Sequence, residues 1–380
     1  MEHRLTIQLI RYEIAQIPVD NDLLEQISDD LLYLVYKFAI EQDVAYIVGS
    51  ALTRLGLLSG DLKTAFFNEQ IGSVYRDEQF RHDTSAVSAL LSGEKIRHIL
   101  LKGAVIKGMY PKSEMRTSCD IDILIEEDNL EKALNTLYEN GYTYVSETKH
   151  DVMLMTPAQS YIELHYTLNE YEFEADNILK NAWSYTRQKN EWEYEFSEHF
   201  FVFYQISHIA RHMYTGGCGI RAFLDLKIIF DRMEFDKVAL GLLLEKASLT
   251  KFFDTTMRLV NLWFGNIEDT SDELKEYEMY ILKSGIYGNL TNKLSVINEK
   301  RGNRNHTKSV LFPPYRVMAE KYSVLNKMPY LLPFMYVIRG VQAVFKGKKS
   351  TGFSVIKASR AVTEDKQNEV TALLKNLELM

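Results

Sequence analysis

The chain has 380 residues, 46% hydrophobic and 12% aromatic, which is enough to bury two or three packed cores and too apolar for a disordered chain. A formal net charge of −8 argues against non-specific binding to a phosphate polymer and leaves small nucleotides acceptable as ligands. Two cysteines, Cys119 and Cys218, are too few for a disulfide framework and fit a reducing, cytoplasmic compartment.

The opening MEHRLTIQLIRYEIAQ scatters charges among its apolar residues and offers no small-residue cleavage site, so it does not read as a secretory signal. From Thr6 to about Glu94 apolar residues recur at helical spacing, as in Leu32, Leu34, Val35, Phe38 and Ala39, and in Ala51, Leu52, Leu55 and Leu58. This predicts a helical N-terminal region over 1–94. From Ile96 the period changes: HILLK is a short strand, Gly103 breaks it, and AVIKGMY resumes as a helix ending near Pro111. CDIDILIEE is the next strand, Asn129 to Asn140 an amphipathic helix closed by Gly141, and VMLMTP and SYIELHYTL are two more strands. Residues 95–170 thus predict a small mixed sheet with helices on one side.

After about Glu170 the helical period returns in EHFFVFYQISHIARHMY, breaks at TGGCG and resumes in IRAFLDLKIIFDRM, so 171–380 predicts a C-terminal helical domain. Within it, the polar and basic KRGNRNHTK at Lys300–Lys308 predicts a loop. The most apolar stretch, Tyr330 to Phe345, is shorter than a bilayer span of about 20 residues and contains Arg339. Packing as a buried or amphipathic helix is expected there, in preference to a peripheral membrane role shared with Lys346, Lys348 and Lys349. The expected class is α+β, a mixed sheet flanked by N-terminal and C-terminal helical regions.

Chemistry concentrates in the middle. Residues two apart on a strand leave the same face, so Asp120 and Asp122 point one way while Ile121, Ile123 and Ile125 enter the core. Hard divalent cations take such oxygen ligands. In YIELH the same alternation places Glu163 with Tyr161 and His165, which makes Glu163 the candidate third carboxylate for a two-metal phosphoryl transfer, as ligand or base. Lys102-Gly103 lies between a strand and a helix start, where backbone N–H groups favour an anion, and Lys102, Lys107, Arg116 and Ser118 are near in sequence to the same point. No GxxxxGK[ST] loop offers another phosphate cradle.

A second constellation is His208-Ile209-Ala210-Arg211-His212, with its two histidines four apart on a helix, followed by Gly216, Gly217, Gly219, Arg221 and Asp225. The histidines are open to three readings: a structural or capping pair, the lining of a nucleotide or acceptor pocket, or zinc ligands with Cys218, although the glutamate of HExxH is missing. Arg221 and Asp225 are four apart, which predicts a simple helical salt bridge, with pocket lining as the other reading.

Taken together, HILLKGAVIKGMYP, MRTSCDIDILI, ENGY, YIELHYTL and HIARHMYTGGCGIRAFLDLKIIF resemble a largely bacterial family of uncharacterised nucleotidyltransferase-like proteins with a DNA polymerase beta-type core. The resemblance implies that Asp120 and Asp122 are the metal-binding pair and Glu163 the third acidic residue. Gly103 matches the glycine of the superfamily's Gly-Ser or Gly-Gly turn, although Lys102-Gly103-Ala104 lacks the serine hydroxyl. It also implies Mg2+ (or Mn2+) as cofactor, an NTP with ATP favoured, and a small-molecule, glycan or peptide acceptor. The rivals are a toxin-type enzyme modifying tRNA through a basic groove, a non-catalytic nucleotide-binding protein, and a glycosyltransferase that would not need Glu163.

Overall fold

The structure is a computed structural model that describes residues 1–168, 174–265, 269, 271–285, 288–301, 313–322, 324–345 and 362–380. The chain divides into two compact units, one of Met1–Arg211 with Gly219–Leu282 and the other of His212–Cys218 with Lys283–Met380.

In the first unit the N-terminal helical region takes form as α1 (Glu2–Ala15), α2 (Asp29–Glu41), α3 (Ala45–Arg54) and the 34-residue α4 (Gly60–Gly93). The Ser28 hydroxyl caps α2 by accepting from the Leu31 N–H, and Asp29 and Asp30 in the first turn suit the positive end of the helix. After α4 come β1 (His98–Leu100), the single turn α5 (Gly103–Ile106), β2 (Asp120–Ile125) and α6 (Leu130–Glu139). Gly141, at φ +84°, ends that helix where a side chain would be strained. Strands β3 (Thr143–Glu147), β4 (Asp151–Met155) and β5 (Tyr161–His165) follow, then the hairpin β6 (Thr186–Gln188) and β7 (Glu193–Phe196). Helices α7 (Glu198–Thr215), which runs on into the second unit, α8 (Ile220–Arg232), α9 (Lys237–Lys246), α10 (Thr250–Phe264) and α11 (Asp272–Leu282) complete it.

The seven strands form one mixed sheet in the order β3-β4-β5-β2-β1-β7-β6, with β2 parallel to β5, β1 parallel to β7 and the other pairs antiparallel. The α+β class expected from the sequence is the one observed. The parallel register sets Asp122 opposite Glu163 and Leu124 opposite His165. On the other face, Ile121, Ile123, Ile125, Ile162 and Leu164 pack with Phe80, Val87 and Leu91 of α4 and Ala133 and Leu137 of α6 into one buried cluster. Burial of these side chains, each worth about 1.5–3 kcal/mol, fixes which face of β2 and β5 is left for the carboxylates, because a one-residue slip would exchange them.

Two features went unread in the sequence: β3, whose five residues are all exposed, and the hairpin β6–β7 ahead of the helical return. The second unit contains α12 (Leu290–Arg301), α13 (Tyr315–Lys321), α14 (Leu332–Phe345) and α15 (Glu364–Asn376). Leu294 and Val296 of α12 and Val370, Leu373 and Leu374 of α15 are buried where these two helices pack together. The apolar stretch from Tyr330 is largely α14, and it is amphipathic: Met335 is buried while Phe334 and Val337 are 63% and 61% exposed. Among the described residues no helix is long and apolar enough to cross a membrane. The loop expected at Lys300–Lys308 falls outside the described residues from position 302 onward, as do Lys346, Lys348 and Lys349.

Candidate active site

The polar face of β2 and β5 carries a tight group. Asp122, Glu163 and His165 each offer a ligand atom, and these atoms all lie within 4.8 Å of one another. His165 Nε2 is 3.0 Å from Asp122 Oδ1 and 3.5 Å from Glu163 Oε2. Lys102 Nζ donates to the same Asp122 Oδ1 at 2.6 Å. One buried carboxylate oxygen is thus shared by an ammonium and an imidazole. Burial alone would raise the Asp122 carboxyl, but Lys102 and His165 outweigh it and hold the group well below the usual carboxylate range. Burial likewise opposes the Lys102 charge, and Asp122 overrides it and keeps the ammonium protonated.

Glu163 behaves in the opposite way. Burial, then the Asp122 charge, push its carboxyl up to about 7, with Lys102 opposing. Asp120, half-buried one pleat earlier on β2, is also raised, by burial and then by Asp122. The stability consequence has a definite sign. Glu163 titrates at 4.5 when unperturbed and about 7 in the fold, so between those values the folded protein holds the extra proton. The group's contribution is present in full below the lower value and lost as pH rises through the upper one. Glu163→Gln in chelator-treated protein is therefore expected to raise stability at about pH 8 by at most about 3 kcal/mol, and to change little at about pH 4. Urea melts at the two pH values check this.

Helix α7 brings in Tyr204, which the sequence did not single out, and Arg211, which stands in the His208–His212 run without an assigned role. Tyr204 is buried, and burial with the nearby carboxylates raises its phenol, while Lys102 opposes. Arg211 is pushed down to about 10 by burial, against the pull of Glu163, Asp122 and Asp151. With Ser207 and His208 they line a cavity of about 20 Å³, the size of one water. A signal for them existed, since positions 204, 208 and 211 share one helical face, but nothing in the sequence says that this face meets the carboxylates. His208 sits 6.3 Å from the Tyr204 ring, centroid to centroid. His212 falls in the second unit, as does Cys218, whose Sγ is buried 3.8 Å from Met213 Sδ.

The remaining residues singled out in the sequence build the segment that leads into β2. Arg116 is buried, its guanidinium donating from Nε and Nη2 to Asp225 at 2.9 Å each and from Nη1 to Ser118 Oγ at 2.7 Å. Tyr110 donates to the same Asp225 at 2.8 Å. Arg221 reaches Asp43, which also accepts from the Thr117 hydroxyl. The Arg221–Asp225 helical salt bridge expected from their spacing is thus not the pairing that forms: each binds a partner over one hundred residues away in the chain, because α8 packs across the 116–118 segment. Lys107 Nζ lies 2.9 Å from Asp77 and donates to the Arg116 carbonyl at 2.5 Å, on the α4 side of the sheet.

Gly103 lies at a close approach, where any side chain would have to displace Ser118 and Arg116. A Cβ there would stand 2.5 Å from Ser118 Oγ and 2.7 Å from Arg116 Nη1. The strain falls on Lys102, a non-glycine residue at φ +40°, ψ −111°, in a region that side chains avoid. Helix α5 is only four residues long, and the amides of Ala104, Val105 and Ile106 already donate to the Leu101 and Lys102 carbonyls. A cavity of about 530 Å³ lies on the α4 side, lined by Ser85, Ser88, Leu100, Ala104 and Lys107 among others. Asp77, Arg81, Lys189 and Glu193 also line it, while Asp122, Glu163 and His165 converge on the opposite face of the sheet.

No curated protein matches the chain. The family model described as "Uncharacterised nucleotidyltransferase" matches residues 32–265, a span that takes in the whole sheet and every residue of the carboxylate group. With more than half of its length matched, the chain belongs to this uncharacterised nucleotidyltransferase family.

Proposed function

We propose that the protein is a Mg2+- or Mn2+-dependent nucleotidyltransferase that moves a nucleoside monophosphate from an NTP, with ATP favoured, to a hydroxyl or phosphate of a small-molecule, glycan or peptide acceptor, releasing pyrophosphate. The observation that carries this reading is the convergence of Asp122, Glu163 and His165 on one face of a sheet within the matched family region. Their donor set, two carboxylates and an imidazole within 4.8 Å, suits a divalent cation, with Asp120 on the same strand face as a further carboxylate. When bound, the cation supplies charge neutralisation to the triphosphate and acidifies the attacking hydroxyl.

The chain's own residues do the rest. Asp122 stays anionic at any working pH, and Glu163, in the same ligand group, would help hold the cation or accept the acceptor's proton as its oxygen attacks the α-phosphorus and the bond to pyrophosphate breaks. Arg211 keeps a guanidinium beside this face to meet the triphosphate, and Tyr204 walls it from water. Lys102 is placed to move from Asp122 to a phosphate oxygen. Arg116, Ser118, Arg221 and Asp225 hold the strand entry. Most of the rate enhancement then comes from positioning and charge.

One observation favours a second reading. The Lys102 ammonium already neutralises Asp122, which would suit a nucleotide-binding protein without catalysis. The test incubates the protein with each NTP, divalent metal and a metabolite extract, following pyrophosphate and mass shifts. Release by the wild type and none by Asp120→Asn/Asp122→Asn supports transfer; NTP binding with no release supports the second reading.

A further inference from the structure

We propose that His165 is a nitrogen ligand of the metal, so that the site selects Mn2+ over Mg2+, and that the Lys102 ammonium is a tethered competitor for the same position. This rests on the nucleotidyltransferase reading only for its biological use; the metal chemistry stands on geometry alone. Strand alternation puts His165 on the face of Glu163, and the parallel register with β2 brings its Nε2 to 3.0 Å from Asp122 Oδ1 and 3.5 Å from Glu163 Oε2. Two carboxylate oxygens and one imidazole nitrogen then surround a single point from two adjacent strands, which are rigid supports for a ligand set.

Ligand type decides the ion. Mg2+ prefers an all-oxygen, largely hydrated shell, whereas Mn2+, which shares the preference of Mg2+ for carboxylates and water, is a first-row transition ion that gains more from an imidazole nitrogen than Mg2+ does. Asp120 lies outside this three-residue group, on the same strand face, and its carboxylate would serve an oxygen-ligated cation carried in by the triphosphate. Lys102 Nζ, 2.6 Å from the same Asp122 oxygen that His165 shares, stands where a cation would bind. Because the ammonium and a cation would take the same Asp122 oxygen, metal entry and Lys102 release are one exchange.

The test uses the full-length, chelator-treated protein and Mn2+ alone, with no nucleotide. Pulsed EPR of bound Mn2+ is expected to show a directly coordinated nitrogen in the wild type, absent from His165→Gln. Titration of free Mn2+ is expected to give about tenfold weaker binding in that variant, with Mg2+ affinity changed far less. Lys102→Met is expected to bind Mn2+ more tightly than the wild type. Thermal melts establish that each variant is folded; should His165→Gln not fold, the nitrogen signal of the wild type decides alone. A wild-type spectrum without nitrogen coupling, or an unchanged Mn2+/Mg2+ ratio in folded His165→Gln, overturns the ligand assignment. Unaltered Mn2+ affinity in Lys102→Met overturns the competitor role. Pyrophosphate release is scored separately: nitrogen-ligated Mn2+ without turnover defeats the transferase reading and leaves this one standing, and turnover without nitrogen ligation does the reverse.

Discussion

Replacing Asp225 by alanine is expected to destabilise the protein by about 3–5 kcal/mol, because it breaks a buried ion pair by removing one partner. The carboxylate accepts two parallel bonds from Arg116 and one from Tyr110, and all three groups are buried. Deleting it removes the acceptor of Nε and Nη2 and leaves the guanidinium its Nη1 bond to Ser118. Asp225→Asn restores an acceptor without the charge and should lose less. Denaturant midpoints at constant slope measure both. A loss under about 1 kcal/mol for the alanine variant would mean that water compensates Arg116 and that this clamp does not hold the entry to β2.

Asp122→Asn is expected to lower kcat/KM for nucleotidyl transfer by about a thousandfold, since a carboxylate that positions charge on a transferring phosphoryl group is worth several kcal/mol. The variant has a structural side effect: Lys102 loses its partner and becomes a half-buried ammonium facing an amide. A comparison with Lys102→Met/Asp122→Asn separates the two consequences. The double variant should regain stability relative to Asp122→Asn, because the unpaired charge is gone, and remain inactive. Activity recovering along with stability would assign Asp122 a packing role only.

The parts of the site that were legible in the sequence are those written in period two. DIDILI and YIELH each declare an acidic face and an apolar face by alternation, and the structure gives β2 and β5 those two faces. The amphipathic α6 and its Gly141 stop were equally plain. Strand β3 was not, because all of TYVSE is exposed and no apolar alternation marks it. The hairpin β6–β7 has three and four residues, too short for a periodic signal, and it owes its place to parallel pairing of β7 with His98 and Ile99.

Long-range pairing defeated the reading of single residues. Nothing local distinguishes the Arg221 that binds Asp43 from one that binds Asp225 four residues on, since both are good carboxylate partners. Asp77 and Asp83, buried in the middle of the long α4, are kept there by Lys107 and Thr156 from elsewhere in the chain. His165 was visible as a neighbour of Glu163 on the same face, but its contact with Asp122 depends on which strands pair, in which direction and in which register. Tyr204 and Arg211 depend in addition on where α7 lies, which is a property of the whole unit's packing.

The central claim is that this carboxylate face transfers a nucleoside monophosphate. The most direct measurement gives the protein ATP labelled at either the α- or the γ-phosphate, with Mn2+ or Mg2+ and a metabolite extract, and follows the label. The account predicts that the α-label appears on an acceptor and the γ-label in pyrophosphate, both abolished in Asp122→Asn. A γ-label on the acceptor, or equal transfer by the variant, would contradict it.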